Sequence, residues 1–126
     1  MFTDFYVTKN FKASELACKD ENKTLYIDFQ SVNKLQQLRD ILGVPIIINS
    51  AFRTKEYNQQ VKGAKNSKHL IGKAFDIRYT PELQKYGYDT IRRIAQNIGF
   101  NGVIIYDTFI HIDTRLALYF EDRRST

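Results

Sequence analysis

The chain has only two histidines, and each stands close to an aspartate. His69 precedes Asp76 by seven positions in the segment NSKHLIGKAFDI, and His111 lies two positions before Asp113 in the segment FIHID. Imidazole nitrogens and carboxylate oxygens bind zinc, and a catalytic zinc ion usually has three protein ligands and an open fourth position. The two segments therefore indicate a metal centre. The alternative is that both histidines are ordinary core or surface residues, and spacing alone does not decide between the two.

Two predicted strands would carry most of these residues. In the segment KAFDIRY, apolar and polar residues alternate, so Asp76 should face away from the apolar side. In FIHIDTR the same period of two places His111 and Asp113 on one face and the isoleucines on the other. Asp107 has the parity of His111 if that strand is continuous. One face of a sheet would thus present His111 and two or three carboxylates, with His69 in the loop that precedes Asp76.

The remaining patterns predict helices packed on this sheet. Apolar residues recur at helical spacing in SVNKLQQLRDIL and in YDTIRRIAQNI, and each segment is followed by glycine. Thr54 and Thr80 are typical N-caps of two short helices, the first of which should end at Gly63. The runs VPIIIN and GVIIYD predict further strands, the first of them covered on both faces. We therefore predict one small α+β domain over residues 1–126, with an antiparallel or mixed sheet.

Composition limits the class of protein. A chain of 126 residues with 43% hydrophobic and 26% charged residues is typical of one globular domain. The N-terminus lacks the features of a secretory signal, and no apolar run approaches the roughly 20 residues that span a bilayer. We therefore expect synthesis in the cytoplasm and no membrane partner. The lone Cys18 cannot form an internal disulfide, and we expect it to be buried.

The net charge of +5 favours a polyanionic partner, which could be nucleic acid, anionic lipid or the teichoic acid and carboxylate-rich surface of a bacterial wall, and the sign alone does not choose among them. The basic clusters KGAKNSK and EDRRST match no nucleic-acid-binding motif. We expect no nucleic-acid partner.

Three segments resemble the zinc D-alanyl-D-alanine peptidase family, whose members cut peptidoglycan stem peptides in bacteria and tailed phages. They are INSAFRTKEYN, SKHLIGKAFDI and GVIIYDTFIHIDTR, and the resemblance runs from about Phe11 to about Arg115. The motif Ser-x-His-x-x-Gly-x-Ala-x-Asp matches at Ser67, His69, Gly72, Ala74 and Asp76. The resemblance implies bound Zn²⁺ and the fold shared with the hedgehog signalling domain. The opening segment NFKASELAC is similar to phage-type members.

The resemblance also implies a set of metal ligands. We take His69, Asp76 and His111 as the ligands, and Asp113 is the alternative third ligand because many family members end the site with His-x-His. Gly72 would allow the turn between His69 and Asp76, and the small Ala74 would leave room for the ion. Ser67 would lie near the site, where its hydroxyl could contact a ligand or a substrate carbonyl. The alternative for Ser67 is a serine that caps a turn.

A zinc ion polarises a carbonyl and lowers the pKa of water from about 15.7 towards 7, and a base must then accept the proton. The candidates for this base are Asp113 and Asp107. Arg53 matches the arginine of the family's Ser-Gly-Tyr-Arg-type motif, and its planar fork suits a substrate carboxylate. The alternative for Arg53 is a structural salt bridge.

These expectations converge on a zinc metallopeptidase that hydrolyses peptidoglycan stem peptides as a D-alanyl-D-alanine carboxypeptidase. One alternative is an L-alanyl-D-glutamate endopeptidase of the phage endolysin type. Another is an inactive zinc-bearing module of a phage particle. We expect a monomer that acts at the bacterial cell wall after release from the cytoplasm, or as part of a phage particle.

Overall fold

The computed structural model describes residues 3–125, which form a small α+β domain, as predicted. Within this range five strands make one mixed sheet in the order β1-β2-β4-β3-β5. All neighbouring strands are antiparallel except β3 and β5, which are parallel. The strands are β1 (Ile48–Ser50), β2 (Ala74–Arg78), β3 (Gly102–Ile105), β4 (Phe109–Asp113) and β5 (Tyr119–Asp122).

Five α-helices and one 3₁₀ turn lie between residues 3 and 125. They are α1 (Ala13–Leu16), α2 (Phe29–Leu42), α3 (Lys55–Gln60), the 3₁₀ turn (Lys68–Ile71), α4 (Pro81–Gln84) and α5 (Tyr88–Ile98). The predicted caps are confirmed, because the hydroxyl of Thr54 accepts a hydrogen bond from the amide of Tyr57, and that of Thr80 from Leu83. None of these helices is long and apolar enough to cross a membrane.

The two long helices cover one face of the sheet. The apolar side of α2 and the buried residues of α5 join one hydrophobic core with Phe75 and Ile77 of β2 and with both isoleucines of β4. Phe75 meets Phe100 edge to face, with ring centroids 6.2 Å apart. The lone Cys18 is buried, as predicted. Because side chains alternate along a strand, the opposite face of β2 and β4 is left for polar residues.

Two details of the predicted sheet were wrong or missing. The run at residues 44–49 is not a strand covered on both faces, since only Ile48–Ser50 pairs, at the sheet edge, and Ile47 is 41% exposed. Pro45 lacks an amide proton, and the register shifts between Ile48 and Ser50, so the pairing stays short. No sequence pattern predicted β5, which forms the opposite edge of the sheet.

Candidate metal centre

The antiparallel pairing of β2 with β4 places Asp76 directly opposite His111. Both side chains lie on the sheet face away from the helices, as the alternation predicted, and Asp113 lies on this face two residues further along β4, opposite Ala74. The side chains of Asp76 and His111 are only 10% and 12% exposed. Two adjacent strands thus bring an imidazole and a carboxylate together in a partly dry environment.

The 3₁₀ turn before β2 adds His69. The hydroxyl of Ser67 accepts a hydrogen bond from the amide of His69 at 3.1 Å and begins the turn, and Gly72 ends it with φ of +70°. That left-handed conformation suits glycine, and a side chain at position 72 would also lie 3.0 Å from the ring of Tyr26. The turn returns the chain to β2, so the spacing between His69 and Asp76 has the physical basis that the sequence suggested.

The ring of His69 is fixed by a backbone carbonyl. Its Nδ1 lies 2.6 Å from the carbonyl oxygen of Ala51, and because that oxygen can only accept, Nδ1 carries the proton. Nε2 then carries a lone pair and no proton. It is buried, lies 3.2 Å from Oδ1 of Asp76, and has no hydrogen-bond partner among residues 3–125. A buried acceptor that faces a carboxylate is costly unless a cation lies between them.

Three donor atoms converge at this point. One atom each from His69, Asp76 and His111 lies within 4.8 Å of the other two, and Nδ1 of His111 is 2.9 Å from Oδ1 of Asp76. Two imidazoles and one carboxylate make a donor set that zinc accepts in catalytic sites. The unpaired Nε2 of His69 and this convergence both fit a bound metal. Asp113 is not a member of the group, because its carboxylate contacts the opposite nitrogen, Nε2 of His111, at 2.8 Å.

Burial and charge act in opposite directions on these groups. Burial alone would raise the pKa of Asp76, but the hydrogen bond with His111 and the proximity of both imidazoles outweigh it and hold the pKa well below its usual range. Burial alone would lower the pKa of His111, and its contacts with Asp113 and Asp76 outweigh that effect and raise the pKa. Asp76 therefore stays ionised, as a metal ligand must. A metal at His111 would replace the proton that it shares with Asp76.

Comparison with known proteins agrees with this centre. Residues 9–113 match the model of the peptidase M15 family. The chain belongs to the peptidase M15 family. Over 72 residues it is 35% identical to the zinc D-Ala-D-Ala carboxypeptidase of Streptomyces albus G, a match that covers 56% of this chain and 27% of that protein. The match thus spans about a quarter of the relative's length. The predicted family is confirmed, and the predicted zinc cofactor is confirmed by the family and the donor set.

The candidate metal centre of this M15 family member lies in the wall of an open cleft of about 500 Å³, which His69, Asp76 and His111 help to line. Asp76 is the only acid among the lining residues of the described chain, whereas five bases line the cleft: Arg53, Lys62, Lys68, Arg115 and Arg123. Ser67 also lines the cleft, as predicted. Its hydroxyl oxygen caps the turn, and its position in the lining is also compatible with a contact to a ligand or substrate. A cleft with this charge favours an anionic ligand.

Arg53 lines the cleft and is held by three polar contacts. Its Nε donates to Ser50 at 3.0 Å, Nη1 to Asn58 at 3.2 Å, and Nη2 to Oδ2 of Asp76 at 3.3 Å. The salt bridge considered from the sequence is therefore present. The guanidinium still has one N–H on each terminal nitrogen that these contacts do not use. Asn58 and the carbonyl of Ala51 were missed at the sequence level although both lie in the segment INSAFRTKEYN, because their contacts with Arg53 and His69 depend on the fold.

The two carboxylates considered as the base lie away from the cleft lining. Asp107 is exposed, and its carboxylate accepts hydrogen bonds from the amide and hydroxyl of Ser125, both at 2.9 Å. The side chain of Asp113 is fully buried beside His111 and Arg115. Sequence reasoning placed Asp107 on the face of His111 only if the strand was continuous, but β4 begins at Phe109 after a turn.

Proposed function

We propose that the chain is a zinc peptidase that hydrolyses the stem peptides of bacterial peptidoglycan, as a D-alanyl-D-alanine carboxypeptidase. The observation that carries this proposal is the convergence of His69, Asp76 and His111, with a buried unpaired nitrogen, in the wall of an open basic cleft. When bound, zinc polarises the scissile carbonyl and makes water a stronger nucleophile at neutral pH. The M15 family and the name of the Streptomyces relative support the same chemistry.

The residues around the centre have distinct tasks in this proposal. Asp76 and the two histidines hold the ion, and Arg53 receives the terminal carboxylate of the substrate on the N–H groups that its protein contacts leave free. The hydroxyl of Ser67 accepts from the amide of His69, so its own proton is available for a substrate carbonyl. The proton acceptor stays a prediction between Asp113 and Asp107, and the first of these is considered again below.

The wider cleft favours a second candidate, an L-alanyl-D-glutamate endopeptidase. Beyond Arg53 the cleft continues into a smaller lobe of about 240 Å³ lined by Asn49, Ser50 and Tyr57. Arg53, Asp76, Val61 and Phe109 line both lobes. A carboxypeptidase needs room for one residue beyond the cut, whereas an endopeptidase needs room for peptide on both sides. The second lobe supports an extended substrate.

Digestion of purified peptidoglycan separates these candidates. A carboxypeptidase is expected to release free D-alanine from pentapeptide stems, and an endopeptidase to release peptides that begin with D-glutamate. Mass spectrometry of the soluble fraction distinguishes the two. The His69→Ala protein is the control for contaminating hydrolases. Absence of both products in the presence of zinc would favour the inactive module and contradict the proposed function. The same digest on intact cells tests action at the wall.

We expect Arg53→Lys to lower kcat/KM on a D-Ala-D-Ala peptide by about 10-fold or more, because a point charge replaces directed charge-assisted hydrogen bonds. The loss should shrink on the same peptide with an amidated C-terminus, which has no carboxylate for Arg53 to bind. Arg78→Lys is the matched control, since Arg78 lies on β2 but is exposed, and its guanidinium donates to Asn49 rather than to Asp76. An equal loss on both peptides would assign the effect to the contact with Asp76 and not to substrate binding.

A further inference from the structure

Both oxygens of the Asp113 carboxylate, at the end of β4, have hydrogen-bond partners. Its side chain has no solvent exposure, and its Oδ1 accepts hydrogen bonds from the amide of Arg115 at 3.1 Å and from Nε at 2.8 Å. Oδ2 lies 2.7 Å from Nη2 of Arg115 and 2.8 Å from Nε2 of His111. We propose that Asp113, clamped by Arg115, is a positioning residue that holds His111 in the one tautomer and ring orientation that can bind the metal. The inference rests on the proposed metal centre.

The tautomer follows from the acceptor. An ionised carboxylate has no proton to donate, so the nitrogen that contacts Asp113 must carry one. Nδ1 shares a proton with the ionised Asp76 in the same way, so the choice between the two nitrogens arises when a metal replaces that proton. The ring then has a single N–H, which Asp113 holds on Nε2, and the lone pair of His111 is on Nδ1. This is the nitrogen that faces Asp76 at 2.9 Å. His69 is arranged in the opposite sense, with Nδ1 held by the carbonyl of Ala51 and Nε2 free. Each histidine thus has one nitrogen fixed by an acceptor and the other aimed at the ion.

Arg115 keeps the carboxylate in place. Its guanidinium donates to both oxygens of Asp113 in a fork, and its Cζ lies 4.6 Å from the centre of the Tyr119 ring on β5. A forked Arg–carboxylate pair fixes the plane of the carboxylate as well as its position. The stack on Tyr119 restrains the other side of the guanidinium. Asp113 therefore has little freedom to turn away from His111.

Gly102 provides the space for this pair. It stands opposite Asp113 in the pairing of β3 with β4. A Cβ at position 102 would lie 2.2 Å from Oδ1 of Asp113 and 2.4 Å from Nε of Arg115, so any side chain there would displace the clamp. The backbone of Gly102 is not in the left-handed region, and alanine would be tolerated by the chain itself. Gly102→Ala therefore disturbs the clamp without removing a single polar group.

The placement also argues against Asp113 as the base. Asp113 is absent from the residues that line the cleft, whereas His111 and Arg115 are among them. To reach a substrate, the carboxylate would have to break its contacts with both neighbours. The two assignments differ in a measurable way. A positioning residue acts on the affinity for the metal, whereas a base acts on turnover with the metal already bound.

The decisive measurement is the affinity for zinc, obtained by competition with a chromophoric chelator. Asp113→Asn and Gly102→Ala should each weaken zinc binding by about 10–100-fold, the usual effect of losing such an outer partner. Activity lost at limiting zinc should return in large part at saturating zinc. Cobalt loaded in place of zinc should show an altered visible spectrum in both variants, because the ring of His111 is reoriented.

Asp122→Asn is the matched control. Asp122 accepts hydrogen bonds from the amide, Nε and Nη2 of Arg124, an arginine two residues after the aspartate, just as Arg115 follows Asp113. The Asp122–Arg124 pair is exposed, however, and its hydrogen bonds involve no histidine. Its zinc affinity should equal that of the parent. Asp107→Asn, the variant of the competing base, should also keep the parent affinity.

Three results would overturn or redirect the inference. If Asp113→Asn binds zinc as tightly as the parent does, and its kcat at saturating zinc falls by about 10²–10⁴-fold, Asp113 is the base. If Asp113→Asn does not fold, unchanged affinity in both Gly102→Ala and Arg115→Lys rejects the clamp. If the parent protein itself binds no zinc, the metal centre fails, and that outcome is separate from any difference between variants.

Discussion

His69→Ala is expected to yield a folded protein that retains no stoichiometric zinc and no hydrolytic activity, where the parent holds about one zinc ion per chain. The physical reason is the number of ligands, since a catalytic zinc site has only three from the protein. The lost donor is the one whose ring is already fixed by the carbonyl of Ala51. Asp76→Ala should have the same result and should also release Arg53 from its carboxylate partner.

Metal analysis of the desalted proteins measures this directly. Asp89→Ala is a suitable control, because Asp89 is an exposed carboxylate paired with Arg92 and Arg93 on α5, on the helix side of the sheet. That variant should keep its zinc. Because each ligand variant also removes a side chain from a buried polar cluster, circular dichroism should confirm that both proteins are folded. Full zinc content in both ligand variants would exclude the centre at these residues.

The motif at residues 67–76 could be interpreted from the sequence because its geometry is local. A 3₁₀ turn, a left-handed glycine and the first residues of β2 are set by neighbouring positions, so the spacing from His69 to Asp76 carries most of the information. The parity of His111 was equally predictable, since alternation along a strand is independent of its partners. The register between β2 and β4, which pairs Asp76 directly with His111, could not be predicted from the sequence.

Other parts of the site depend on contacts between distant segments. The salt bridge of Arg53 with Asp76 joins residues 23 positions apart, and the contact of His69 with the carbonyl of Ala51 joins residues 18 apart. The role of Gly102 depends on a neighbouring strand, because only the pairing of β3 with β4 brings its Cα beneath Asp113. No local pattern signals these contacts.

The sheet edges were the least predictable elements, for the same reason. In β5, the segment YFED has no clear alternation of apolar and polar residues, and its strand conformation comes from parallel pairing with β3. At the other edge, an apolar run usually typical of a buried strand is interrupted at Pro45 and leaves Ile47 exposed. Edge strands pair on one side only, so their composition is less constrained than that of central strands.

Phe75→Ala is expected to lower the free energy of unfolding by about 3–5 kcal/mol, a large share of the roughly 5–15 kcal/mol that stabilises a typical domain. Phe75 is 1% exposed, lies on β2 beside Asp76, and packs edge to face on Phe100. Its removal leaves a cavity between the sheet and the helices. Phe29→Ala, at a phenylalanine that is 64% exposed, is the control and should change stability by less than about 0.5 kcal/mol.

Zinc should offset part of the Phe75→Ala loss, because an ion that binds only the folded state stabilises it by about 2.7 kcal/mol at 100 times its Kd. Denaturant unfolding with and without zinc measures both effects in one experiment. The offset should be similar in the parent and in Phe75→Ala, since Phe75 faces the core while Asp76 lies in the candidate metal centre on the opposite face. A cost below about 1 kcal/mol for Phe75→Ala would contradict the packing of β2. Loss of the zinc offset in that variant alone would mean that the core side of β2 also positions the ligand, and that the two faces of the strand are coupled.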